Sequence, residues 1–336
     1  MEPKNRVRTW VLRIVAILAL LLVAAFILLR TPDTDRAAMI AKYSNAESRF
    51  VTMADSATIH VRDTGGTIGQ PAIVLIHGSN SSLHTWEPLV ARLRNSYRII
   101  AMDMPGHGLT GATPTHRYDM AEMIGTVDAV TRELGVGQFV LGGNSMGGGI
   151  SWRYALEHPD RVQALVLLDA SGMPLRAGET RATSNIGFRN MRSSAGRWLA
   201  SQITPRSLVA QSLSGSVSNQ SIINEAMIDR YWELLRFPGN REATGLRFSR
   251  RIVDDAAAER ARAIAVPTLI LFGKEDALIN ASAAQTFHER IVGSEVVLLD
   301  GIGHLPMEEA PDATATAIRD FLGRNNQSTG GAHRQR

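Results

Sequence analysis

The chain has 336 residues, no cysteine, 44% hydrophobic residues and a formal net charge of +4. That length and apolar fraction exclude a disordered chain and leave room for a full hydrophobic core, while the missing thiols exclude disulfide scaffolds, thiolate zinc sites, iron–sulfur clusters and cysteine nucleophiles. The charge sits at the ends, with +4 on residues 1–30, +3 on the tail from Arg324 and −3 on residues 31–323, so the body lacks the basic stripe that nucleic-acid binding requires.

Ile14 to Leu29 runs without a charge. With Arg13 snorkelling and Trp10 at the interface, the stretch is long enough to cross a bilayer. A cleaved signal peptide is the rival reading. Its apolar region usually spans about 7 to 15 residues and ends in small residues, whereas Val23-Ala24-Ala25 continues into Phe26 to Leu29. The positive charges precede the span, which predicts a single-pass anchor over residues 1–30 in the cytoplasmic (inner) membrane, N-terminus inside and body outside. Residues 31–48 read as a polar linker or short helix, and 324–336 as a flexible tail.

Between them, strands and helices alternate. Phe50–Met53 and Thr58–Val61 form a paired edge, followed by the apolar runs Ala72–Ile76, Arg98–Met102, Phe139–Leu141 and Val162–Leu168 with helices between them. Continuous apolar runs of this length predict a mostly parallel sheet covered on both faces. The rhythm stops at residues 172–262, an arginine-rich helical insertion, and resumes at Pro267–Phe272 and Glu295–Leu299. The predicted class is α/β, with one core built from residues 49–171 and 263–323.

Open α/β sheets place their sites at the carboxyl ends of the strands. Gly143-Asn144-Ser145-Met146-Gly147 stands at such an end, between a strand and a helix, where a serine on a tight turn is exposed as a nucleophile. A hydroxyl needs a base oriented by an acid. His304 follows the last strand and fits the base; Asp276 and Asp169 compete as the acid, with Asp276 keeping the chain order nucleophile, acid, histidine and Glu275 its weaker neighbour. The backbone N–H groups of Met146 and Ser79 are the candidate oxyanion donors. The turn around Asp103 reads as structural, as do His77 and His107 near the site, and His60, His116, His158, His288 and His333 read as capping or surface residues.

The ordered set His77-Gly78, Asp103-x-Pro105-Gly106-x-Gly108, Gly143-Asn144-Ser145-Met146-Gly147-Gly148, Phe272-Gly273-x-x-Asp276 and Gly303-His304-x-Pro306-Met307-Glu308-Glu309-x-Pro311 resembles the α/β-hydrolase superfamily over about residues 48–323. Within it the chain is similar to membrane-associated bacterial lipase/esterase-like members and to the carbon–carbon bond hydrolases of aromatic degradation. The loop after His77 lacks the extra glycines of the latter, and a serine at the elbow speaks against the aspartate-bearing dehalogenases and epoxide hydrolases. The resemblance implies Ser145, Asp276 and His304 as a catalytic triad, residues 172–262 as a lid, and hydrolysis of carboxylic esters through an acyl-enzyme, with no cofactor and no metal. A carbon–carbon hydrolase of the meta-cleavage type, or a hydrolase-like binding protein, stands as the alternative. A small-molecule or lipid ester is the expected substrate, with Asn80, Trp86, Phe188, Trp198 and Trp232 as pocket candidates. The lid's 14 Arg against 8 Asp plus Glu suggest a face for anionic headgroups or an anionic substrate.

Overall fold

The structure, a computed structural model, describes residues 3–66, 70–176, 178–179, 193–249 and 255–332. Eight strands form one sheet: β1 (Ser48–Thr52), β2 (Thr58–Asp63), β3 (Ala72–Ile76), β4 (Arg98–Met102), β5 (Phe139–Asn144), β6 (Val162–Leu168), β7 (Thr268–Gly273) and β8 (Glu295–Leu299). Their spatial order is β1-β2-β4-β3-β5-β6-β7-β8. The β1–β2 and β2–β4 pairs are antiparallel and the rest parallel.

Alternation along the strands explains the apolar runs. In β3, Val74 and Ile76 enter one core layer while Ile73 and Leu75 enter the other; in β6, Leu165 and Leu167 oppose Val166 and Leu168 in the same way. Both faces are buried, so β3 has no polar position and β6 only the exposed Gln163 near its start. Helices α4 (Met120–Glu133) and α5 (Met146–Glu157) supply residues to the first layer; α3 (Glu87–Leu93) and the long C-terminal helix serve the second.

The N-terminal helix α1 (Pro3–Leu29) contains a 22-residue apolar span, Arg8–Leu29, with mean hydropathy 3.0 and none of it buried by the rest of the chain. Residues 31–48 differ from a free linker. They contain α2 (Arg36–Tyr43), capped by Asp35 at the N–H of Ala38, and Met39, Ile40 and Tyr43 pack against Leu109, Leu234 and Phe237. A polar segment hides this docking because only three of its side chains carry the apolar contact.

The insertion comprises α6 (Ser194–Gln202), α7 (Arg206–Ser214), α8 (Glu225–Leu235), α9 (Asn240–Phe248) and α10 (Asp255–Arg260). The helices α11 (Ser282–Arg290), α12 (Pro306–Glu309) and α13 (Pro311–Ala332) complete the core. The expected tail from 324 is helical as far as Ala332, a continuation of α13 across Gly323.

Candidate active site

Ser145 links β5 to α5 with φ 54° and ψ −116°. A non-glycine residue pays about 1–3 kcal/mol for such a conformation and holds it only where its surroundings fix it. Here the Ser145 N–H donates to Leu168 O at 3.0 Å, and Ser145 O accepts from Gly149 N and Ser171 N, each at 3.0 Å. The helix must also approach the sheet closely: a Cβ on Gly147 would strike the carbonyl oxygens of Ile76 and His77.

The elbow is tied to the histidine loop. Asn144 Nδ2 donates to His304 O at 3.0 Å, and His304 N donates to Ser216 O of the insertion at 2.8 Å. The buried His304 Nδ1 pairs with Asp276 Oδ2 at 2.7 Å, while Asp276 Oδ1 accepts from Leu278 N at 2.7 Å and Ile279 N at 3.0 Å. With Nδ1 engaged, Nε2 is the ring atom free to exchange a proton with a hydroxyl.

Asp169 ends β6 at φ 43°, fully buried, with Oδ1 accepting from Gly273 N at 2.9 Å. Burial, and then the nearby Asp276 carboxylate, push its carboxyl well above the ordinary range. Asp169, Asp276 and His304 offer atoms within 4.8 Å of one another. The 2.7 Å contact between His304 and Asp276 has hydrogen-bond length, which is longer than a metal–ligand bond.

The loop after β3 packs on the serine, since a Cβ on Gly78 would lie 3.1 Å from Ser145 Cβ. Ser79 follows Gly78 in this loop, and Met146 opens α5 directly after Ser145. Asn80, at φ 57°, accepts from Thr244 Oγ1 of α9 at 2.9 Å. His77 Nδ1 donates to Gly78 O at 2.7 Å and its Nε2 accepts from Met104 N at 3.1 Å, the pattern of a neutral ring, and burial lowers its pKa accordingly. His107 donates from Nδ1 to Pro105 O and lies 2.8 Å from Arg247 Nη1. Both histidines brace strand-end loops.

His60 differs from the surface role expected for it. It is fully buried, with Nδ1 at 2.7 Å from Asp103 Oδ2 and Nε2 at 3.0 Å from Ser48 Oγ. Asp103 also accepts from Leu83 N and Leu109 N. Burial alone would raise this carboxyl, but the hydrogen bond from His60 and the charges of His60, His84 and His77 outweigh it and hold it at about 2. Asp103 thereby fixes the loops after β3 and β4 together.

Glu308 and Glu309, directly after the His304 loop, tie that loop to its surroundings. Glu308 accepts from Thr85 Oγ1 at 2.6 Å, Tyr231 Oη at 2.7 Å and Arg230 Nη2 at 2.5 Å, joining the post-β3 loop, α8 and α12. Glu309 accepts from Gly303 N at 2.9 Å, Ser218 N at 2.8 Å and Asn219 N at 3.0 Å, clamping the His304 loop to the insertion. Acidic side chains inside an otherwise apolar turn were the available signal.

The pocket candidates divide. Asn80 lies by the serine loop. Trp86 is sealed within the core and packs the fold instead. Trp198 is exposed and stacks on Phe26 of α1 at 5.4 Å, and the Trp232 indole donates to Thr204 O at 2.8 Å beneath Arg236. Phe188 lies outside the described residues. Of the lid's arginines, Arg206, Arg230, Arg241 and Arg262 are each paired with a carboxylate, while Arg181, Arg189, Arg192, Arg250 and Arg251 lie outside the described residues. A cleft of about 640 Å³ between α2 and α8 is lined by Arg62, His84, Arg230 and Glu308 and does not include Ser145 or His304.

Comparison with known proteins agrees with this architecture. The chain is 30% identical over 255 residues to the uncharacterized hydrolase YugF of Bacillus subtilis (strain 168), covering 76% of this chain and 90% of that one. It is 28% identical to a 2-hydroxymuconate semialdehyde hydrolase of Pseudomonas putida, over 76% of this chain and 87% of that one. The crystal structure of a bacterial membrane phospholipase A superposes with a TM-score of 0.70 at 23% identity, covering 95% of this chain and 99% of that one. The model of the alpha/beta hydrolase fold matches residues 71–311, and since that stretch runs from β3 through the His304 loop, the chain belongs to the α/β-hydrolase family.

Proposed function

We propose that the protein is a membrane-anchored serine hydrolase that cleaves carboxylic esters through an acyl-enzyme. The observation that carries the reading is the coupling of a strained Ser145 to His304 through Asn144, with His304 paired to Asp276 at 2.7 Å. In this reading Ser145 Oγ attacks the ester carbonyl carbon while its proton passes to His304 Nε2. The oxyanion is received by the N–H groups of Met146 and Ser79. His304 then protonates the leaving alkoxide, the C–O bond breaks, and water repeats the sequence on the acyl group to release the acid and restore Ser145. Asp276 holds the ring tautomer and stabilises the imidazolium. Asp169, which accepts from Gly273 N rather than from the ring, is not the orienting acid in this reading.

The apolar span of α1, preceded by basic residues, supports a single-pass anchor with the body outside the cytoplasm. Residues 172–262, of which Thr244 bonds Asn80 and Ser216 bonds His304, act as the lid in this reading. The name of the Pseudomonas relative favours a second reading, cleavage of a carbon–carbon bond in a vinylogous diketone. Full-length enzyme in detergent, assayed on p-nitrophenyl esters and on a dienone of that type, separates the two. A higher kcat/KM on the esters is expected; preference for the dienone would replace the ester assignment.

A further inference from the structure

We propose that lid helix α6 lies in the membrane interface beside α1, and that it presents the Ser145 site to ester-linked lipids of that leaflet. The inference rests on the ester-hydrolase and anchor readings above and adds a docking surface and a source of substrate.

The connection between anchor and lid is rigid and short. The Thr31 N–H donates to Gln202 O at 2.9 Å, Thr204 N donates to Thr31 Oγ1 at 2.5 Å, and Arg241 holds Thr31 O at 2.7 Å and Asp33 Oδ1 at 2.6 Å. Thr34 N donates to Arg236 O at 2.9 Å, and Arg236 Nε to Pro32 O at 3.0 Å. Every one of these bonds joins residues 31–34 to the lid rather than to the sheet domain.

The contact continues into the apolar span itself. Phe26 stacks on Trp198 at 5.4 Å between centroids, nearly parallel. Phe26 is three residues from the end of α1, so at 1.5 Å per residue Trp198 sits about 4.5 Å below the span's end. Interfacial helices lie about 5–10 Å into the headgroup boundary, the level at which tryptophan is enriched. α6 has no residue buried by protein; Trp198 is 57% and Leu199 47% exposed, and on the next helix Leu208 is 54% exposed. An apolar face left open next to a membrane span is covered by the same lipid that covers the span. Among the described lid arginines, Arg206, Arg230, Arg241 and Arg262 are paired with acids, and Trp198, Leu199 and Leu208, left open on α6 and α7, are apolar.

The helix also reaches the site. Arg197 of α6 packs on Gly245 of α9, and the neighbouring Thr244 bonds Asn80, the residue after the candidate oxyanion donor Ser79. A lipid drawn from the leaflet past α6 therefore arrives where the oxyanion loop is held.

The absence of cysteine allows a clean test in the full chain. Single substitutions Leu199→Cys, Leu208→Cys, Leu20→Cys in the anchor and Val292→Cys, 83% exposed on the sheet domain, each carry an environment-sensitive fluorophore in phosphatidylcholine vesicles containing nitroxide-labelled lipid. The labels at 199 and 208 should shift to the blue and lose emission as the label at 20 does, with that at 292 unchanged. Labels at 199 and 208 that behave like 292, while 20 is quenched, would overturn the docking and leave the anchor standing. Aqueous behaviour at 20 would instead remove the anchor reading, and the inference with it. Labels at 199 shielded from both water and lipid quencher would assign the face to a second copy and also refute the proposal. As a second arm, Trp198→Gln combined with Leu199→Gln should lower turnover of vesicle-embedded phospholipid at least ~10-fold and leave a soluble short-chain ester unaffected. Equal loss on both substrates, or no loss, contradicts the lipid-delivery role.

Discussion

Replacing Asp276 by asparagine discriminates between two aspartates whose atoms lie within 4.8 Å of the same histidine. Asp276 Oδ1 accepts from the N–H groups of Leu278 and Ile279 at 2.7 and 3.0 Å. Those two donors dictate how an amide would sit: its oxygen must face them, which turns its NH2 toward His304. The ring then has to accept at Nδ1 and carry its proton on Nε2, the tautomer that cannot take a proton from Ser145. A triad forced into the wrong tautomer loses about 10⁴ in kcat, or about 5.5 kcal/mol at 1.36 kcal/mol per decade. Asp169→Asn should cost less than about tenfold, because the amide oxygen still accepts from Gly273 N and the His304–Asp276 pair is left intact. The assay is kcat/KM on a p-nitrophenyl ester with full-length enzyme in detergent, alongside thermal unfolding to verify folding. Inactivation by Asp169→Asn with a working Asp276→Asn would refute the assignment of the acid.

Other consequences are open to simpler measurements. Gly147→Ala brings a Cβ against the backbone oxygens of Ile76 and His77, which have no way to yield, so a loss of about 3 kcal/mol or more in urea unfolding is expected along with loss of activity. Asp103 is held at about 2 against an ordinary 3.8; its depressed pKa stabilises the fold above pH 4 by about 2 kcal/mol, and that contribution disappears as pH falls from about 4 to 2. Asp103→Asn should flatten this acid limb of the stability curve; an unchanged limb would mean other groups cause it. For Asp169 the sign is opposite, since its pKa is raised: stability present below about pH 4 declines as pH rises, and the Asp169→Asn variant should not share the decline. Deleting residues 1–35 removes Thr31 and Asp33 from the buried Arg241. It should lower the melting temperature more than deletion of 1–29, and equal values would argue that the strap contributes no stability.

Much of the fold was legible because a strand covered on both faces runs almost wholly apolar, as Ala72–Ile76 and, past the exposed Gln163, Ala164–Leu168 display. The serine and histidine were legible for a related reason, since glycines around Ser145 and a lone late-loop His304 are patterns that chemistry restricts. Asp276 and Asp169 could be ranked by chain order but not separated by environment, because each follows a strand and their partners, His304 and Gly273 N, are distant in sequence. Aromatic residues carried the least information. Trp86 and Trp198 look equivalent in a helical stretch, yet one is enclosed by the core and the other faces outward beside the anchor. The burial of His60 and the docking of the short helix at 36–43 were not foreseen because their partners, Asp103 and the lid, are distant in sequence.

The central claim is that Ser145 becomes acylated. Full-length enzyme treated with a fluorophosphonate probe and digested should carry the adduct on the peptide containing Ser145, and Ser145→Ala should remove it along with about 10⁴-fold or more of the esterase activity. An adduct at another residue, or ester turnover that survives in Ser145→Ala, would contradict the account.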